Sequence, residues 1–543
     1  MSVSEGSREE SARLQGASEE APRFVLLTEC LQNDFFLNTQ CRLRLPDTIV
    51  PQMLLGHRDF DLRARGNKPS RARSRAIREG PLGVFLRAVV GSRLADPGLP
   101  VLHLVNLRDW HIPGSEYDHE RRAYGMHCEP GTWGVEYLEG VDAYLDPNGT
   151  AATADYAEAG SARAYHLRSD SVFDFKPRAE CRDGHRKFRA SELEDVLDII
   201  VQGSDDDLEQ MRGLLGAGGF EAIHAIAREI DAEDKPRTDR SVYVAALGVW
   251  TDIKVQTLLV GLRTQYDLPN LALSDTFTAS YTLERHLAAL DYAARVLGVD
   301  VIHGVNELSA YLGTAAPLKD ESEVVARISF ARYRTYAQDK QNVLAFQDEK
   351  LQQYLALTER RSLEVYARIK HANTFLLTFG GLFLTVTLLF AILNAVWPDT
   401  FRWQVAAVTG GIGLIQIVSA FFSKPIRDLQ QNLTNLAVFK MILESHSLKT
   451  ALARYHLTTP RTLREFQTPT EAATAKEQID VLRQQVRTVQ EFDTADFAGL
   501  ASLALAVGEG VATPSPDGAE QAPAAPAVAP AQPASSSGLR KHA

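Results

Sequence analysis

Short apolar runs alternate with amphipathic, helix-favouring stretches over residues 22–313. Four of these runs have the length and composition of buried strands, namely FVLLTEC, VLHLVNL, VYVAALGV and DVIHGV. Strands that alternate with helices in this way are typical of an α/β fold with a mostly parallel sheet. The pattern therefore predicts an α/β domain at 22–313, in which a parallel sheet is flanked by helices.

Two much longer apolar runs, at 372–396 and 403–422, contain no charged side chain. Each is long enough to cross a bilayer, because about 20 apolar residues in a helix span the hydrocarbon core. The link between them, WPDTFR, is too short to hold an external domain. The runs predict a two-helix transmembrane hairpin, since the alternative, a buried hairpin of a soluble protein, seldom contains two uncharged runs of this length.

The charges beside the two runs predict how the hairpin is oriented. Basic residues precede the first run and follow the second: Arg360, Arg361, Arg368, Lys370, Lys424 and Arg427. Cytoplasmic segments of membrane proteins carry an excess of Lys and Arg. We therefore expect a multi-pass membrane protein with both termini in the cytoplasm. Trp397 and Trp403 would then lie at the opposite interface.

A charged, helix-favouring stretch connects the domain to the first run. It contains no Gly or Pro from Leu318 to Phe379, and it predicts a helical stalk at 318–371. Two arrangements stay open, a self-associating stalk and a helix packed back on the α/β domain.

The regions at the two ends differ from the rest of the chain in composition. An acidic segment at 1–21 and an Ala/Pro-rich tail at 510–543 lack the apolar residues of a core, and we expect both to be disordered. Between the second apolar run and the tail, amphipathic stretches predict a cytoplasmic helical region at 425–505.

The net charge and the number of cysteines indicate which partners and which cellular compartment the chain fits. The formal net charge is -11, from 58 Lys+Arg against 69 Asp+Glu, which excludes a generally cationic coat, so we expect no nucleic-acid partner. Four Cys residues exclude a disulfide scaffold and fit a reducing compartment. Insertions interrupt the domain near 57–79 and 190–238. The first is basic and either contacts anionic lipid or an acidic partner, or is a solvated loop.

Five segments of the domain occur in an order that resembles the isochorismatase-like hydrolases, which include the nicotinamidases. They are VLLTECLQNDFF, VNLRDWH, HCEPGTWGVEYLEG, ALGVWTDIKVQTLL, and LALSDTFTAS followed by GVDVIHGVNEL. The resemblance implies a parallel sheet flanked by helices. It also implies a Cys nucleophile with an Asp base and a supporting Lys, because a thiol needs a base and a cation to become a thiolate.

The catalytic positions of that family are changed in this chain. The family motif is similar to G-V-x-T-D-x-C-V, and Lys254 stands at the position of its Cys. Cys30 stands where the family has its Asp, and Arg168 is the nearest cation to the position of its Lys, to within a residue or two. We therefore interpret the domain as a pseudo-hydrolase with no catalytic residues. The alternative is a swapped arrangement in which Cys30 is the nucleophile and Lys254 lowers its pKa.

The resemblance to nicotinamidases also implies a divalent metal site. Its residues here are Asp109, His111 and His127, with His119 as a spare ligand. One carboxylate and two imidazoles suit zinc, iron or manganese. The alternative is that Asp109 and His111 belong to a hydrogen-bonded loop without a metal.

Three functions remain open at this point. The first is a binding protein that couples a small ligand or a protein partner to the membrane in a stress, defence or cell-death pathway. The segment FFSKPIRDLQQNLTNLAVFK resembles membrane modules of bacterial conflict proteins, and docking of a contractile injection particle is related to this. We expect a homo-oligomer, since two spans are too few to enclose a pore. The second is a membrane-tethered hydrolase that uses Cys30 or metal-activated water. The third is a structural platform.

Overall fold

The computed structural model describes most of the domain, both long apolar helices and part of the C-terminal region. The described residues are 22–111, 122, 124–169, 192–230, 241–397, 403–422, scattered residues between 438 and 457, and 474–490, with short gaps at 48, 57–59, 64–65, 152 and 267. Several predicted features lie outside these residues, namely the two ends expected to be disordered, His119, Cys181 and most of the region 425–473. The chain divides into two compact units, Met1–Leu357 with Ser445–Asp493, and Thr358–Glu444 with Thr494–Ala543.

Seven strands form one sheet in the described part of the first unit, in the order β3-β4-β2-β1-β5-β6-β7. Their bounds are β1 Arg23–Glu29, β2 Leu102–Asp109, β3 Tyr156–Ala159, β4 Ala162–Ser169, β5 Val242–Val249, β6 Asn270–Ala279 and β7 Asp300–Ile302. All neighbouring pairs are parallel except β3 and β4, which are antiparallel. The predicted α/β fold with a mostly parallel sheet is confirmed, and the antiparallel pair β3–β4 lies at one edge of that sheet.

Helices connect and flank the strands. Within the described residues, their bounds are α1 Asn33–Phe36, α2 Val50–Leu55, α3 Arg71–Arg78, α4 Pro81–Leu86, α5 Ser92–Ala95, α6 Asp142–Leu145, α7 Glu192–Gln202, α8 Asp205–Gly218, α9 His224–Ile230, α10 Gln256–Tyr266, α11 Leu283–Arg295, α12 Val305–Tyr311, α13 Glu321–Val396 and α14 Trp403–Phe422. A π-helical turn, Thr251–Val255, joins β5 to α10. Residues 475–490 are also helical.

The central strands are buried on both faces. Along β1, Leu26 packs in one hydrophobic cluster, whereas Val25 and Leu27 pack in another. Successive side chains of a strand point to opposite faces, and a parallel sheet covered by helices on both faces needs apolar residues at every position. This explains why the strands appear in the sequence as unbroken apolar runs.

β1 and β5 approach each other closely at their carboxyl ends. Gly248 has φ 126°, and a Cβ there would lie 2.0 Å from the carbonyl oxygen of Glu29. Only glycine combines this backbone conformation with this spacing. The close approach brings the residues that follow the two strands together.

The helix α13 runs without interruption for 76 residues, through the predicted stalk and the first predicted span. Its first part is buried in the first unit, where Tyr333 and Tyr336 form a hydrophobic cluster with Leu482 and Val486 of the segment 475–490. From Phe346 onwards the helix exposes large apolar side chains. Of the two arrangements left open for the predicted stalk, the first turns of the helix show the one in which it packs back on the rest of the first unit.

In the second unit, α13 is the one described helix that is long and apolar enough to cross a membrane, judged by length and composition. The most apolar window of this helix has a mean hydropathy of 2.4 and is 6% buried. The apolar part of α14 is shorter, Trp403–Ser419. The two helices pack closely, since a Cβ at Gly413 would lie 2.9 Å from the carbonyl oxygen of Gly380. Across the same contact, Thr387 Oγ1 and Thr409 Oγ1 are 2.9 Å apart.

Candidate functional site

The residues with chemical potential meet at the carboxyl ends of the central strands. β1 pairs with both β2 and β5 in parallel register, so the ends of these three strands lie side by side. Cys30 follows β1, Asp109 ends β2, and Lys254 lies in the turn after β5. The backbone N–H of Cys30 donates to the carbonyl oxygen of Leu107 at 2.9 Å, which extends the pairing to this edge.

Asp109 is the centre of the cluster and is fully buried. Its Oδ1 accepts hydrogen bonds from Lys254 Nζ and, at 3.3 Å, from Cys30 Sγ. The Cys30 thiol also donates to Glu29 Oε1 at 2.9 Å. Lys254 therefore stands between the strands as the cation that compensates a buried carboxylate.

The side-chain amide of Gln32 fixes the backbone of Asp109. Gln32 Nε2 donates to the carbonyl oxygens of Asp109 and Val135, both at 2.9 Å, and Gln32 Oε1 accepts from the Asp109 N–H at 2.8 Å. Asp34 performs a similar role for the following loop, because its Oδ2 accepts from the Cys128 N–H at 2.6 Å. Neither residue was predicted from the sequence, although both lie in the segment VLLTECLQNDFF.

Two histidines face the other carboxylate oxygen of Asp109. His111 Nε2 and His127 Nε2 lie 3.8 and 3.9 Å from Asp109 Oδ2, and their ring centroids are 4.4 Å apart. His127 Nδ1 is 2.8 Å from the carbonyl oxygen of Gly125. A carbonyl accepts, so His127 carries its proton on Nδ1 and directs the Nε2 lone pair towards Asp109.

These three side chains have the composition and spacing of a metal site. Their nearest donor atoms, one from each residue, all lie within 4.8 Å of one another. Asp109 Oδ2 is buried and has no hydrogen-bond partner among the described residues. A buried carboxylate oxygen without a partner is costly, and a cation between it and the imidazoles would satisfy it. Glu29, Cys30 and Asp109 form a second group with similar spacing.

The protonation states distinguish the metal ligands from the thiol. Burial, followed by the charges of Asp109 and Glu29, raises the pKa of Cys30 well above its ordinary value, and Lys254 opposes this only in part. Burial lowers the pKa of His127 more than Asp109 raises it. Burial alone would raise the pKa of Asp109, but Lys254 and then His111 more than offset it, so this pKa lies below its usual range. Cys30 is therefore a thiol at neutral pH, whereas His127 is neutral and Asp109 is ionised.

Arg168, the candidate for the supporting cation, contacts Trp110 and Asp155. Its guanidinium lies 4.9 Å from the Trp110 ring centroid, and its Nη2 is 3.4 Å from Asp155 Oδ1. Arg108 lies 5.3 Å from the same ring centroid. Of the predicted site residues, the structure thus brings together Cys30, Asp109, His111, His127 and Lys254.

The comparisons with known proteins identify no family for the chain. No family model matches it, and no curated protein matches it. Among solved structures, it is similar to the nicotinamidase/pyrazinamidase PncA from Bacillus subtilis, with 14% identity, a TM-score of 0.27, and coverage of 52% of this chain and 99% of that chain. A nicotinamidase PncA from Bacillus subtilis has 14% identity and a TM-score of 0.28, with coverage of 52% and 99%. A pyrazinamidase/nicotinamidase from Streptococcus mutans has 14% identity and a TM-score of 0.26, with coverage of 51% and 99%. Similarity at this level carries no conclusion about activity.

Proposed function

We propose that this chain is a bacterial inner-membrane protein whose cytoplasmic domain is a catalytically degenerate member of the isochorismatase-like family. In this proposal the domain binds a divalent metal or a small ligand at its former active site and couples binding to the membrane helices. The observation that carries the proposal is the ion pair between Lys254 and Asp109. In this pair Lys254, which stands at the position of the family's nucleophilic Cys, compensates the charge of Asp109.

The state of the cluster argues against thiol catalysis. A nucleophilic Cys needs a lowered pKa and a nearby cation that is free to stabilise the thiolate. Cys30 has a raised pKa, and its one thiol proton is shared between the carboxylates of Glu29, at 2.9 Å, and Asp109, at 3.3 Å. The ammonium of Lys254 is engaged with Asp109, and this favours its charged form, which cannot attack a carbonyl carbon.

Metal binding is supported by the donor set of Asp109, His111 and His127. A carboxylate with two imidazoles suits zinc, iron or manganese. Such an ion supplies Lewis acidity and a lowered pKa for bound water. The chain's own residues contribute orientation, since Gln32 holds the Asp109 backbone and Gly125 directs His127.

A hairpin topology is supported by the packing of the first unit. Tyr333 and Tyr336 precede the apolar part of α13, and they pack with Leu482 and Val486, which follow α14. Residues in one hydrophobic cluster lie on the same side of a membrane. Any crossings between them would then be even in number, and one crossing each by α13 and α14 would meet this condition.

The contact between α13 and α14 has the features of a membrane helix pair. Small residues let helix backbones approach in lipid, and hydroxyl groups form hydrogen bonds across the interface. Gly380 and Gly413 meet at the close approach, and Thr387 contacts Thr409. Two helices enclose no channel, so any pore would need a homo-oligomer. A protein partner, a stress, defence or cell-death role, and docking of an injection particle remain parts of the proposal.

A membrane-tethered hydrolase is the second candidate, and the unsatisfied Asp109 Oδ2 favours it over the thiol route. A metal held at this oxygen would activate water without a Cys nucleophile. Metal-dependent turnover that survives Cys30→Ala but not His111→Ala would support this alternative.

Metal content tests the binding half of the proposal. We expect full-length protein in lipid nanodiscs, dialysed against micromolar zinc, to retain about one ion per chain by elemental analysis. Loss of even a hydrogen-bond partner of a ligand lowers metal affinity about 10–100-fold, so His111→Ala, which removes a ligand, should lower it at least as much. His224→Ala is the matched control, because His224 pairs with Asp195 outside the cluster. Equal zinc content in wild type and His111→Ala would contradict the proposed site.

A further inference from the structure

A buried polar network lies behind the candidate site, around Asp275 in β6. Asp275 Oδ1 accepts from His286 Nε2 at 2.8 Å and from Arg332 Nη1 at 2.7 Å, and Oδ2 accepts from His303 Nδ1 at 2.8 Å. Asp275 and its partners His286 and Arg332 are 1%, 2% and 2% exposed. None of these residues was singled out by the sequence.

One end of this network reaches the turn that carries Lys254. His286 Nδ1 is 2.9 Å from Thr251 Oγ1, and Thr251, which is 1% exposed, opens the π-helical turn Thr251–Val255. Burial, followed by the charge of Arg332, lowers the pKa of His286 to about 4. The ring is therefore neutral at pH 7. It donates from Nε2 to Asp275 and accepts the Thr251 hydroxyl proton at Nδ1.

The other end of the network is on the long helix. Arg332 belongs to α13, and its Nη2 donates to the carbonyl oxygens of Asp275 at 2.9 Å and Thr278 at 2.5 Å. With the bond from Nη1 to Asp275 Oδ1, the guanidinium attaches α13 to the carboxyl-terminal half of β6. The same helix continues into the apolar segment that ends at Val396.

We propose that Thr251, His286, Asp275 and Arg332 form a relay that couples occupancy of the Asp109 cluster to the first turns of α13. The relay begins three residues before Lys254, so an ion at Asp109 Oδ2 that weakens the attraction of Oδ1 for Lys254 acts on the turn that Thr251 opens. This inference rests on the proposed function, since it names the route by which the domain signals to the membrane helices.

The burial of the relay explains why a displacement at one end is not absorbed locally. Each member is at most 2% exposed, so water cannot replace a hydrogen bond that is lost. A buried polar group without a partner is costly, and such networks tend to rearrange as a unit. A change at Thr251 therefore has to be followed by His286 and Asp275, and then by Arg332.

Hydrogen exchange in the full-length protein in nanodiscs tests the relay. Peptides from 321–344 are followed with and without saturating zinc, and zinc binding is measured in parallel by competition with a chelator. We expect zinc to change exchange in these peptides about 5-fold or more in wild type, the lower end of usual allosteric coupling. Thr251→Val, which lacks the hydroxyl, should bind zinc but lose the change, and Thr251→Ser should restore it. Thr264→Val is the matched control, because the Thr264 hydroxyl bonds within α10.

The outcomes separate the relay from the metal site. If zinc binds and the 321–344 peptides do not respond, or respond equally in Thr251→Val, the relay is wrong while the site stands. If no zinc binds, the metal proposal fails, and the relay is judged with Lys254→Met instead. Lys254→Met should then alter exchange in 321–344, and addition of Thr251→Val should suppress the change. An unaltered pattern in Lys254→Met would overturn the relay.

Discussion

Replacement of Lys254 by methionine removes the cation from a buried ion pair and keeps a side chain of similar length. In the wild type, the side chains of Lys254 and Asp109 are 1% and 0% exposed. After the substitution, Asp109 Oδ1 retains the Cys30 thiol as a donor, and Glu29 places a second carboxylate on the same thiol. The variant therefore leaves a buried carboxylate without its nearest positive charge.

The magnitude of the effect follows from the burial. Removal of one partner from a buried ion pair costs about 3–5 kcal/mol of unfolding free energy. This is a large part of the stability of a typical domain, about 5–15 kcal/mol. Neutralising the other partner removes the cause, so Lys254→Met/Asp109→Asn should be more stable than Lys254→Met alone.

Urea unfolding of the full-length protein in micelles, at pH 7 without metal, measures this effect. The urea midpoint gives the change in unfolding free energy when the slope is unchanged. Arg285→Met is the matched control, since its guanidinium is exposed and 3.8 Å from Asp252 Oδ2, and exposed pairs contribute about 0–1 kcal/mol. A loss below about 1 kcal/mol in Lys254→Met, or a double variant that is no more stable than Lys254→Met, would refute the reasoning.

Three further predictions concern other parts of the chain. Gly413→Leu should lower the unfolding free energy in micelles by about 1–3 kcal/mol through overpacking against α13. Gly411→Leu is the control and should change it little, because a Cβ there meets no described atom within 4 Å. Equal thermal stabilities of the two variants would contradict this prediction. Gly248→Ala should lower the unfolding free energy measured with urea by about 3 kcal/mol or more, since its Cβ would lie 2.0 Å from a carbonyl oxygen. Gly213→Ala is the control, because a Cβ at that position of α8 meets no described atom within 4 Å, and it should leave the unfolding free energy unchanged or raise it. His286 has an ordinary pKa of 6.5 and a folded pKa of about 4, so the unfolded chain binds more protons between these values, and the urea midpoint should fall as the pH drops from 6.5 to 4. A His286→Gln variant should show a weaker fall over that range, and an identical pH dependence would refute the assignment.

Much of the sheet could be predicted because its central strands are buried on both faces. β1, β2, β5 and β7 correspond to the four apolar runs. β4 was not predicted as a strand, since it contains Arg163, His166 and Arg168 among its apolar residues. Its polar side chains are accommodated by partners that only the fold supplies, such as Tyr137 for His166. The polar residues of β4 therefore gave no strand pattern in the sequence, although contacts with distant residues stabilise this strand in the fold.

The candidate site shows the same division between local and long-range information. Asp109, His111 and His127 could be selected because they lie in short segments with a family resemblance. Gln32 binds the Asp109 backbone across 77 residues, and Arg332 reaches Asp275 across 57 residues. No spacing in the sequence indicates these partners, because they depend on which strand ends lie side by side.

The central claim is that the domain keeps a binding site and lacks the amide-hydrolysing chemistry of the family it resembles. Ammonia release from nicotinamide by the zinc-loaded, full-length protein tests this most directly, with Lys254→Cys, His111→Ala and Cys30→Ala measured beside the wild type. The account predicts no release above the buffer rate from the wild type, although the protein is folded and retains zinc. Turnover by the wild type that disappears in His111→Ala or in Cys30→Ala would contradict it, and would make the protein a membrane-tethered hydrolase.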